Sequence, residues 1–340
     1  MRGVPSQVLT RRGFVAGAAA SLTVCARSLR AADYTFAQYH NQTTESTLHK
    51  RLMEMWAAIG RDTGGRVETR VYPLNNNVPG SDPAALKMLV AGEIHFFTLM
   101  GGVIGTVVPA AEVQQVPFVF STAAAAHQAM DGALGAYLRE EMAAKGIHGF
   151  STGAFDNGLR QMTLVPRPVR GPADLAGLRM RVPESKMLVE FFRTFGAEPV
   201  IINSSGIYDG IKSGRVDAQE NPLAVVSLFR VYELVKFISM TNHMWSGFNL
   251  LAHRPTWLRL PEDIQTTIDR HVTTFAQLQR RDQQAANIQM RADLARRSIA
   301  FNDVDPAPFR RALAGFYAAW KKELGARCWS LLEAAAGPVA

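Results

Sequence analysis

Three polar side chains stand at the ends of predicted strands in the second half of the chain. Arg181 is followed by Pro183, which cannot donate to a strand ladder, so the strand ends there and leaves Arg181 at the carboxyl edge of a sheet, where α/β folds bind ligands. Arg160 begins another predicted strand, and Asn221, held extended by Pro222, ends a third. The chemistry that such residues offer is ligand recognition. Surface arginines and an ordinary Asx turn are the alternative interpretation.

Motifs that would carry catalysis or hold a metal are missing from the sequence. The eight histidines are scattered, without a His-Glu-x-x-His pair, and no Cys/His spacing suits zinc. There is no Gly-x-Ser-x-Gly elbow, phosphate-binding loop or Gly-x-Gly-x-x-Gly, and residues 101–105 form only a glycine-rich turn. The sequence therefore predicts neither an enzyme nor a protein with a metal or another cofactor.

The net charge is concentrated at the beginning of the chain. Of the 37 Lys and Arg residues, five lie in the first 32 positions, where there is no Asp or Glu; these are Arg2, Arg11, Arg12, Arg27 and Arg30. The other 32 basic residues face 29 acidic ones, so the formal charge of +8 falls to +3 for the rest of the chain. Because the sequence has no basic patch with interleaved aromatic residues, we expect no nucleic-acid partner.

The first 32 residues have the pattern of an export signal. The pair Arg11-Arg12 precedes a weakly apolar run over residues 16–26, which is too short to span a bilayer. An arginine pair before such a run indicates a twin-arginine signal peptide, with an ordinary secretion signal as the alternative. We therefore expect residues 1–32 to hold an export signal that is cleaved after Ala26 or after Ala32, and a periplasmic protein.

Cysteine content and hydropathy predict a soluble mature chain without disulfides. Of the two cysteines, Cys25 would be lost with the signal, which leaves Cys328 without a partner. No later stretch reaches the ~18 uninterrupted apolar residues of a membrane span. With 47% apolar residues, the chain is expected to bury the core of one large or two medium domains.

Strands and helices alternate along the mature chain, which predicts an α/β fold. Periodicity and Gly or Pro stops predict helices at 44–63, 83–91, 123–145, 185–195 and 205–213. Strands are predicted at 34–37, 67–72, 94–99, 147–151, 162–164, 178–182, 199–202 and 216–219. The alternation of strands and helices starts again after residues 153–158, so we expect two α/β units with a crossing point between them.

A long helix is predicted near the end of the chain. Apolar residues recur at steps of three and four, at Ile264, Ile268, Val272, Phe275 and Leu278, and neither Gly nor Pro occurs between Glu262 and Pro306. The helix would run to about residue 298, roughly 50 Å at 1.5 Å per residue, which is enough to brace two units. Two helices with an unmarked break are the alternative.

Several short segments, each weak by itself, form a specific set through their order and spacing. They are Gly64-Gly65-Arg66-Val67-Glu68, Val116-Pro117-Phe118, Gly158-Leu159-Arg160, residues 172–183, Gly196-Ala197, Tyr208 with Gly214, residues 216–222 and residues 257–263. This set resembles the DctP-like solute receptors of tripartite ATP-independent periplasmic (TRAP) transporters, over nearly the whole mature chain.

The resemblance implies a two-lobed α/β periplasmic binding protein with mixed sheets, crossing hinge strands and a long bracing helix. Lobe I would comprise residues 33–157 and about 247–286, and lobe II residues 158–246 and about 287–340. The hinge candidates are the crossing segments at 155–158 and 243–247.

The resemblance also implies roles for the strand-end residues. In such receptors an organic acid anion is enclosed between the lobes, and the arginine that Arg181 matches forms a two-point salt bridge to its carboxylate. Arg160 would be a second cation near that carboxylate, and Asn221 would orient it. A planar guanidinium has two parallel N–H donors that match a carboxylate, which lysine cannot offer.

Other candidate site residues are less specific. Many relatives have an aromatic residue followed by Ser-Glu before the Val-Tyr step, whereas this chain has Ser204 and Gly206, so the stacking residue is missing and Ser204 would enlarge or polarise the pocket. The candidates for an apolar wall are Phe155, Trp245 and Phe248, with a role in the core as the alternative. The candidates from the opposing lobe are Tyr39, His40 and Met100.

Taken together, the residues and the resemblance predict a periplasmic solute receptor of a TRAP-type transporter. It would capture an organic acid anion, a carboxylate, and deliver it to the membrane permease subunits without transforming it. An exported periplasmic enzyme and a ligand receptor for a sensor kinase are the alternatives.

Overall fold

The computed structural model describes residues 31–339. The predicted signal peptide, with Arg11, Arg12 and Cys25, lies outside the described residues except for positions 31 and 32. None of the helices in the described part combines the length and the apolar character that crossing a bilayer requires.

The first half of the described chain alternates strands and helices in the predicted order. The elements are β1 (Tyr34–His40), α1 (Thr47–Asp62), β2 (Val67–Tyr72), α2 (Ser81–Ala91), β3 (Phe96–Met100), α3 (Gly101–Ile104), α4 (Ala123–Asp131), α5 (Ala133–Ala143) and β4 (Ile147–Phe155). Short 3-10 segments lie at Pro73–Asn77 and Pro109–Gln115.

The second half repeats this alternation and then becomes helical. The elements are β5 (Gln161–Leu164), β6 (Arg179–Val182), α6 (Lys186–Thr194), β7 (Glu198–Ile201), α7 (Ile207–Lys212), β8 (Ala218–Asn221), α8 (Leu223–Leu228), β9 (Phe237–Met240), β10 (Phe248–His253), α9 (Arg254–Leu258), α10 (Glu262–Arg296), β11 (Ala300–Asp303), α11 (Ala307–Ala312) and α12 (Ala314–Ala336). Further 3-10 segments lie at Pro172–Leu175, Ser204–Gly206 and Val231–Glu233.

The strands of residues 31–339 form two mixed sheets. The five-stranded sheet has the order β2-β1-β3-β10-β4, in which β1 is parallel to both neighbours and β10 is antiparallel to β3 and β4. The six-stranded sheet has the order β11-β9-β5-β8-β6-β7, in which β5 is antiparallel to β8 and β9. The predicted two-lobed α/β fold with mixed sheets is therefore confirmed.

The chain crosses between the sheets after β4 and again after β9. The two crossing segments touch each other through an antiparallel bridge between Leu159 and Trp245. The predicted lobe boundaries stay a prediction. The C-terminal helix α12, which that prediction assigned to lobe II, packs against α4, α5 and the 3-10 segment Pro109–Gln115.

Helix α10 is one continuous helix of 35 residues, so the alternative of two helices is wrong. Its buried face includes Ile264, Ile268 and Val272, and it packs against α1, against β4 of the five-stranded sheet and against α8, the helix that follows β8 of the six-stranded sheet.

The predicted helix over 123–145 is wrong in one respect, because it is two helices. Gly132 between α4 and α5 has φ −95° and ψ −153°, an extended conformation that breaks the helical hydrogen bonds.

In α12, Cys328 is fully buried among apolar residues, and burial raises the pKa of its thiol to about 12.

Candidate functional site

A narrow cavity lies where the edges of the two sheets meet the crossing segments. Its lining residues come from the ends of β1 and β3, the crossings, β6, β8 and the start of β10; they are Asn41, Gln42, Met100, Asn157, Arg160, Arg181, Pro183, Ser204, Asn221, Val225, Ser246 and Phe248. The structure thus brings together six of the predicted site residues, Arg181, Arg160, Asn221, Ser204, Met100 and Phe248.

Arg181 presents a buried guanidinium with an unused donor. Its residue is 1% exposed, and its Nε donates to the carbonyl oxygen of Ile202 at 2.7 Å. Its Nη2 is buried without a hydrogen-bond partner in the described structure. Burial lowers the pKa of Arg181 to about 10, so the side chain stays charged at neutral pH. A buried unpaired donor of this kind costs free energy unless an acceptor reaches it.

Arg179 shows how different two arginines of one strand can be. It lies two residues before Arg181 in β6, and its side chain is 43% exposed and pairs with Asp217. It plays no part in the cavity.

The charge of Arg160 is already paired. Its Nε and Nη2 donate to the two carboxylate oxygens of Glu220, the second at 2.6 Å, and Nη2 also donates to the Glu220 carbonyl oxygen at 2.8 Å. Its Nη1 donates to the hydroxyl of Ser246 at 2.8 Å. Arg160 therefore lies at the cavity as expected, but as half of an ion pair and not as a free second cation.

Glu220 has a second partner in His243, and neither residue was recognised in the sequence. The His243 Nε2 lies 3.2 Å from the Glu220 carboxylate, and its Nδ1 lies 2.7 Å from the Thr241 hydroxyl. Burial favours the neutral acid, but Arg160 and His243 outweigh it and hold the pKa of Glu220 below its ordinary value. Burial lowers the pKa of His243, against the hydrogen bond to Glu220, which raises it.

The opposite wall of the cavity is a chain of amides behind which lies a buried acid. Gln42 donates to the Asn41 side-chain oxygen at 2.9 Å, and Asn41 donates to Asp82 at 2.8 Å. Asn75 donates to the other Asp82 oxygen at 2.6 Å. Burial raises the pKa of Asp82, against these two amides and the charge of Arg181, which lower it.

The family model for bacterial extracellular solute-binding proteins, family 7 (DctP), matches residues 38–323. The chain belongs to this family. Members of the DctP family are periplasmic solute-binding receptors of TRAP type, so the resemblance seen in the sequence is confirmed.

Individual solute-binding proteins are also similar in sequence to this chain. The chain is 29% identical over 255 residues to the 2,3-diketo-L-gulonate-binding periplasmic protein YiaO of Escherichia coli, covering 75% of each chain. It is 30% identical over 209 residues to the C4-dicarboxylate-binding periplasmic protein DctP of Rhodobacter capsulatus, covering 61% of each. An uncharacterized protein of Sinorhizobium fredii is 29% identical, and the chain spans 57% of its length.

A solved structure shows the same fold. A TRAP periplasmic solute-binding protein of Polaromonas sp. JS666 bound to D-erythronate superposes with a TM-score of 0.81 at 26% identity, over 88% of this chain and 98% of that one.

Four predicted site residues of this DctP-family chain do not line the cavity, because each has partners elsewhere. The hydroxyl of Tyr39 accepts from the Asn76 amide at 3.3 Å. His40 contacts His49 through Nε2 at 2.9 Å and accepts from the Gln42 backbone through Nδ1, and burial lowers its pKa to about 3. The indole of Trp245 donates to Asp156 at 2.9 Å. Phe155 is fully buried beside Phe248, its register partner in β10. Of the aromatic candidates, Phe248 lines the cavity.

A wider groove, of about 650 Å³ and open to solvent, runs along α10 and is lined in part by His127. Two of its arginines are already paired, Arg280 with Asp131 and Arg291 with Asp303. The narrow cavity, with the buried unpaired donor of Arg181, is therefore the stronger candidate for an anion site. Residues 31–339 contain no cluster of His, Cys, Asp or Glu that could hold a metal ion.

Proposed function

We propose that this chain is the periplasmic solute receptor of a TRAP-type transporter, which binds an organic acid anion between its two lobes and delivers it to the membrane permease. The observation that carries the proposal is the buried guanidinium of Arg181, whose Nη2 has no partner in the described structure although it lies at the cavity.

The geometry indicates which edge of Arg181 would meet the ligand. Its Nε is already bonded to the Ile202 carbonyl oxygen, so the Nη1 and Nη2 end of the guanidinium remains for the two oxygens of a carboxylate. In a site without water such a charge-assisted pair is stronger than in solution. Because only the closed form would make all contacts, the ligand would shift the protein towards closure by its higher affinity for that form.

The relatives support the chemical class of ligand. The E. coli relative is named for binding 2,3-diketo-L-gulonate, and the Polaromonas structure holds D-erythronate. Both ligands are organic acids with a carboxylate, the group that Arg181 would bind.

The test is a thermal-shift panel on the mature protein after removal of carried-over ligand. The panel pairs each hydroxy, keto, dicarboxylic and aromatic acid with its neutral amide. A ligand at 100 times its Kd adds about 2.7 kcal/mol to the free energy of unfolding. We expect at least one acid to raise the Tm while its amide does not. Equal shifts with amides would refute the role of Arg181, and a panel without any shift would contradict the receptor itself.

Delivery to the permease needs a separate experiment. The purified receptor would be added, with its ligand, to vesicles that contain the TRAP permease subunits. We expect uptake to depend on the receptor. Uptake that is unchanged without it would remove delivery from the proposal and leave the binding step standing.

A further inference from the structure

The cavity offers the ligand one unpaired positive charge. Among its described lining residues the charged side chains are Arg160 and Arg181, and the carboxylate of Glu220 neutralises the first. Asp82 lies behind Asn41 and influences Arg181 but does not line the cavity. An ionised Asp82 would reduce the positive charge further, so the site can balance at most one negative charge of a ligand. A second carboxylate would be buried without a cation, which is strongly unfavourable.

The remaining polar atoms at the cavity include unused hydrogen-bond acceptors. The Asn221 amide nitrogen donates to Gln219 at 2.6 Å, and the side-chain oxygen of Asn221 has no donor among the described residues. Gln42 likewise donates to Asn41 and keeps its oxygen free. Each of these amide nitrogens also retains one N–H. A hydroxyl group can donate to the oxygens and accept from the N–H groups, whereas a carboxylate is acceptor-only and would be repelled by the oxygens.

Ser246 adds a donor to the same surface. Its oxygen accepts from Arg160 Nη1 at 2.8 Å and from the Asn157 amide at 3.4 Å, and its own proton has no acceptor in residues 31–339. Ser204 contributes another hydroxyl, at the position where many relatives have an aromatic residue that could stack on the ligand. Polar groups thus occupy both walls, and Phe248 is the one aromatic residue that lines the described cavity.

From this charge balance and these amides, we infer that the ligand is a polyhydroxylated monocarboxylate, with its carboxylate on Arg181 and its hydroxyl groups on Asn221, Gln42 and Ser246. The inference rests on the proposed function and narrows it.

The test is calorimetric titration of the stripped mature protein with matched acids of four and six carbons. Each length includes an aldonate (erythronate, gluconate), the acid with a carboxylate at both ends (tartrate, glucarate) and the acid without hydroxyl groups (butyrate, hexanoate). We expect one aldonate to bind at least 100-fold more tightly than both of its matched acids.

Equal or tighter binding of the dicarboxylate or of the unsubstituted acid would overturn the inference while leaving an organic acid receptor in place. The amide of the best aldonate separates the two failures. If that amide binds as well as the acid, or if none of the acids binds, the proposed function fails as well.

A variant tests the charge balance through the ratio of two affinities, that for the dicarboxylate and that for the aldonate. Partial unfolding lowers both affinities alike and leaves this ratio unchanged. Glu220→Gln leaves Arg160 unpaired and adds one positive charge, so the affinity for the dicarboxylate relative to the aldonate should rise at least tenfold. The matched control is Glu233→Gln, an acid paired with Arg230 away from the cavity, which should leave the ratio unchanged. An unchanged ratio in Glu220→Gln would contradict the inference.

Discussion

The carboxylate of Glu220 accepts hydrogen bonds from both Nε and Nη2 of Arg160, which makes these two residues a fully buried ion pair. Arg181 lies on β6, the strand next to β8, which carries Glu220. Its Nη2 has no such partner in the described structure. Two arginines at one cavity therefore differ in what they can do: the first is a fixed part of the wall, and the second has donors to offer.

Replacing Arg181 should abolish tight binding without unfolding the protein. Lysine keeps the charge but has no planar pair of donors, and alanine has neither. We expect Arg181→Lys and Arg181→Ala to weaken binding of the best acid by about 2–5 kcal/mol, roughly 30-fold to several thousand-fold, as measured by calorimetric titration.

The matched control is Arg179→Lys on the same strand, because Arg179 is half exposed and pairs with Asp217. The binding free energy of the Arg179→Lys variant for the best acid should stay within about 0.5 kcal/mol of that of the unmodified protein, as for most surface substitutions. Near-native affinity in either Arg181 variant would eliminate Arg181 as the anchor.

Removing the acid of the buried ion pair should cost stability. Glu220→Gln leaves the Arg160 guanidinium buried and uncompensated, which lowers the free energy of unfolding by about 3–5 kcal/mol. Urea denaturation measures this change. The exposed pair of Glu233 with Arg230 is the comparison, and Glu233→Gln should change stability by less than about 1 kcal/mol. Equal effects of the two variants would show that the buried pair contributes no more to the free energy of unfolding than the exposed pair.

Glu112 joins the 3-10 segment Pro109–Gln115 to the beginning of α6. Its carboxylate accepts from the Ser185 hydroxyl at 2.9 Å and from the Lys186 backbone N–H at 3.0 Å. Burial nevertheless raises the pKa of Glu112 to about 8, although these hydrogen bonds lower it.

The raised pKa of Glu112 should make stability fall with pH. Between about pH 4.5 and 8 the folded protein holds a proton that the unfolded chain releases, so the contribution of Glu112 is full below pH 4.5 and is lost as pH rises through 8. In this range it changes by up to about 1.4 kcal/mol per pH unit.

Glu112→Gln removes this proton, so the stability of the unmodified protein minus that of the variant should decrease from pH 5 to pH 8 in denaturant titrations. Glu54→Gln, at an exposed pair with Arg51 on α1, is the control substitution. A flat difference for Glu112→Gln would mean that the carboxylate stays ionised in the fold.

The arginine pair of the predicted signal peptide can be tested in cells. Arg11→Lys combined with Arg12→Lys keeps the positive charge but removes the twin-arginine signature, so we expect the protein to stay in the cytoplasm. Fractionation followed by immunoblotting measures this. An unchanged periplasmic yield would favour the ordinary secretion signal.

The local parts of the fold were predictable because their signals lie within a few residues. Strand β2 has the predicted bounds, Val67–Tyr72, and α2 ends before Gly92, whose φ of 79° suits a left-handed cap. Gly132 misled the prediction, because Gly within an alanine-rich helix is often tolerated, as Gly135 is in α5, and only the extended conformation of Gly132 shows the break.

The site was predictable only in part, because its partners are distant in sequence. Arg181 could be placed from Pro183, but nothing near Arg160 indicates that Glu220, 60 positions later, neutralises it. On the opposing wall the prediction chose His40 because strand β1 was expected to end at residue 37. The strand runs to His40, so the first residues beyond it, Asn41 and Gln42, reach the cavity.

The buried thiol of Cys328 makes this protein convenient for spectroscopic labelling. With a pKa of about 12 the thiol carries almost no thiolate at neutral pH, and its packing in α12 keeps maleimide reagents away. In a chain that begins after Cys25, a fluorophore or spin-label pair can therefore be attached at two introduced surface cysteines, one beside each sheet, without first replacing the native cysteine. The distance between such labels would report directly on whether the sheets approach each other when an acid is added.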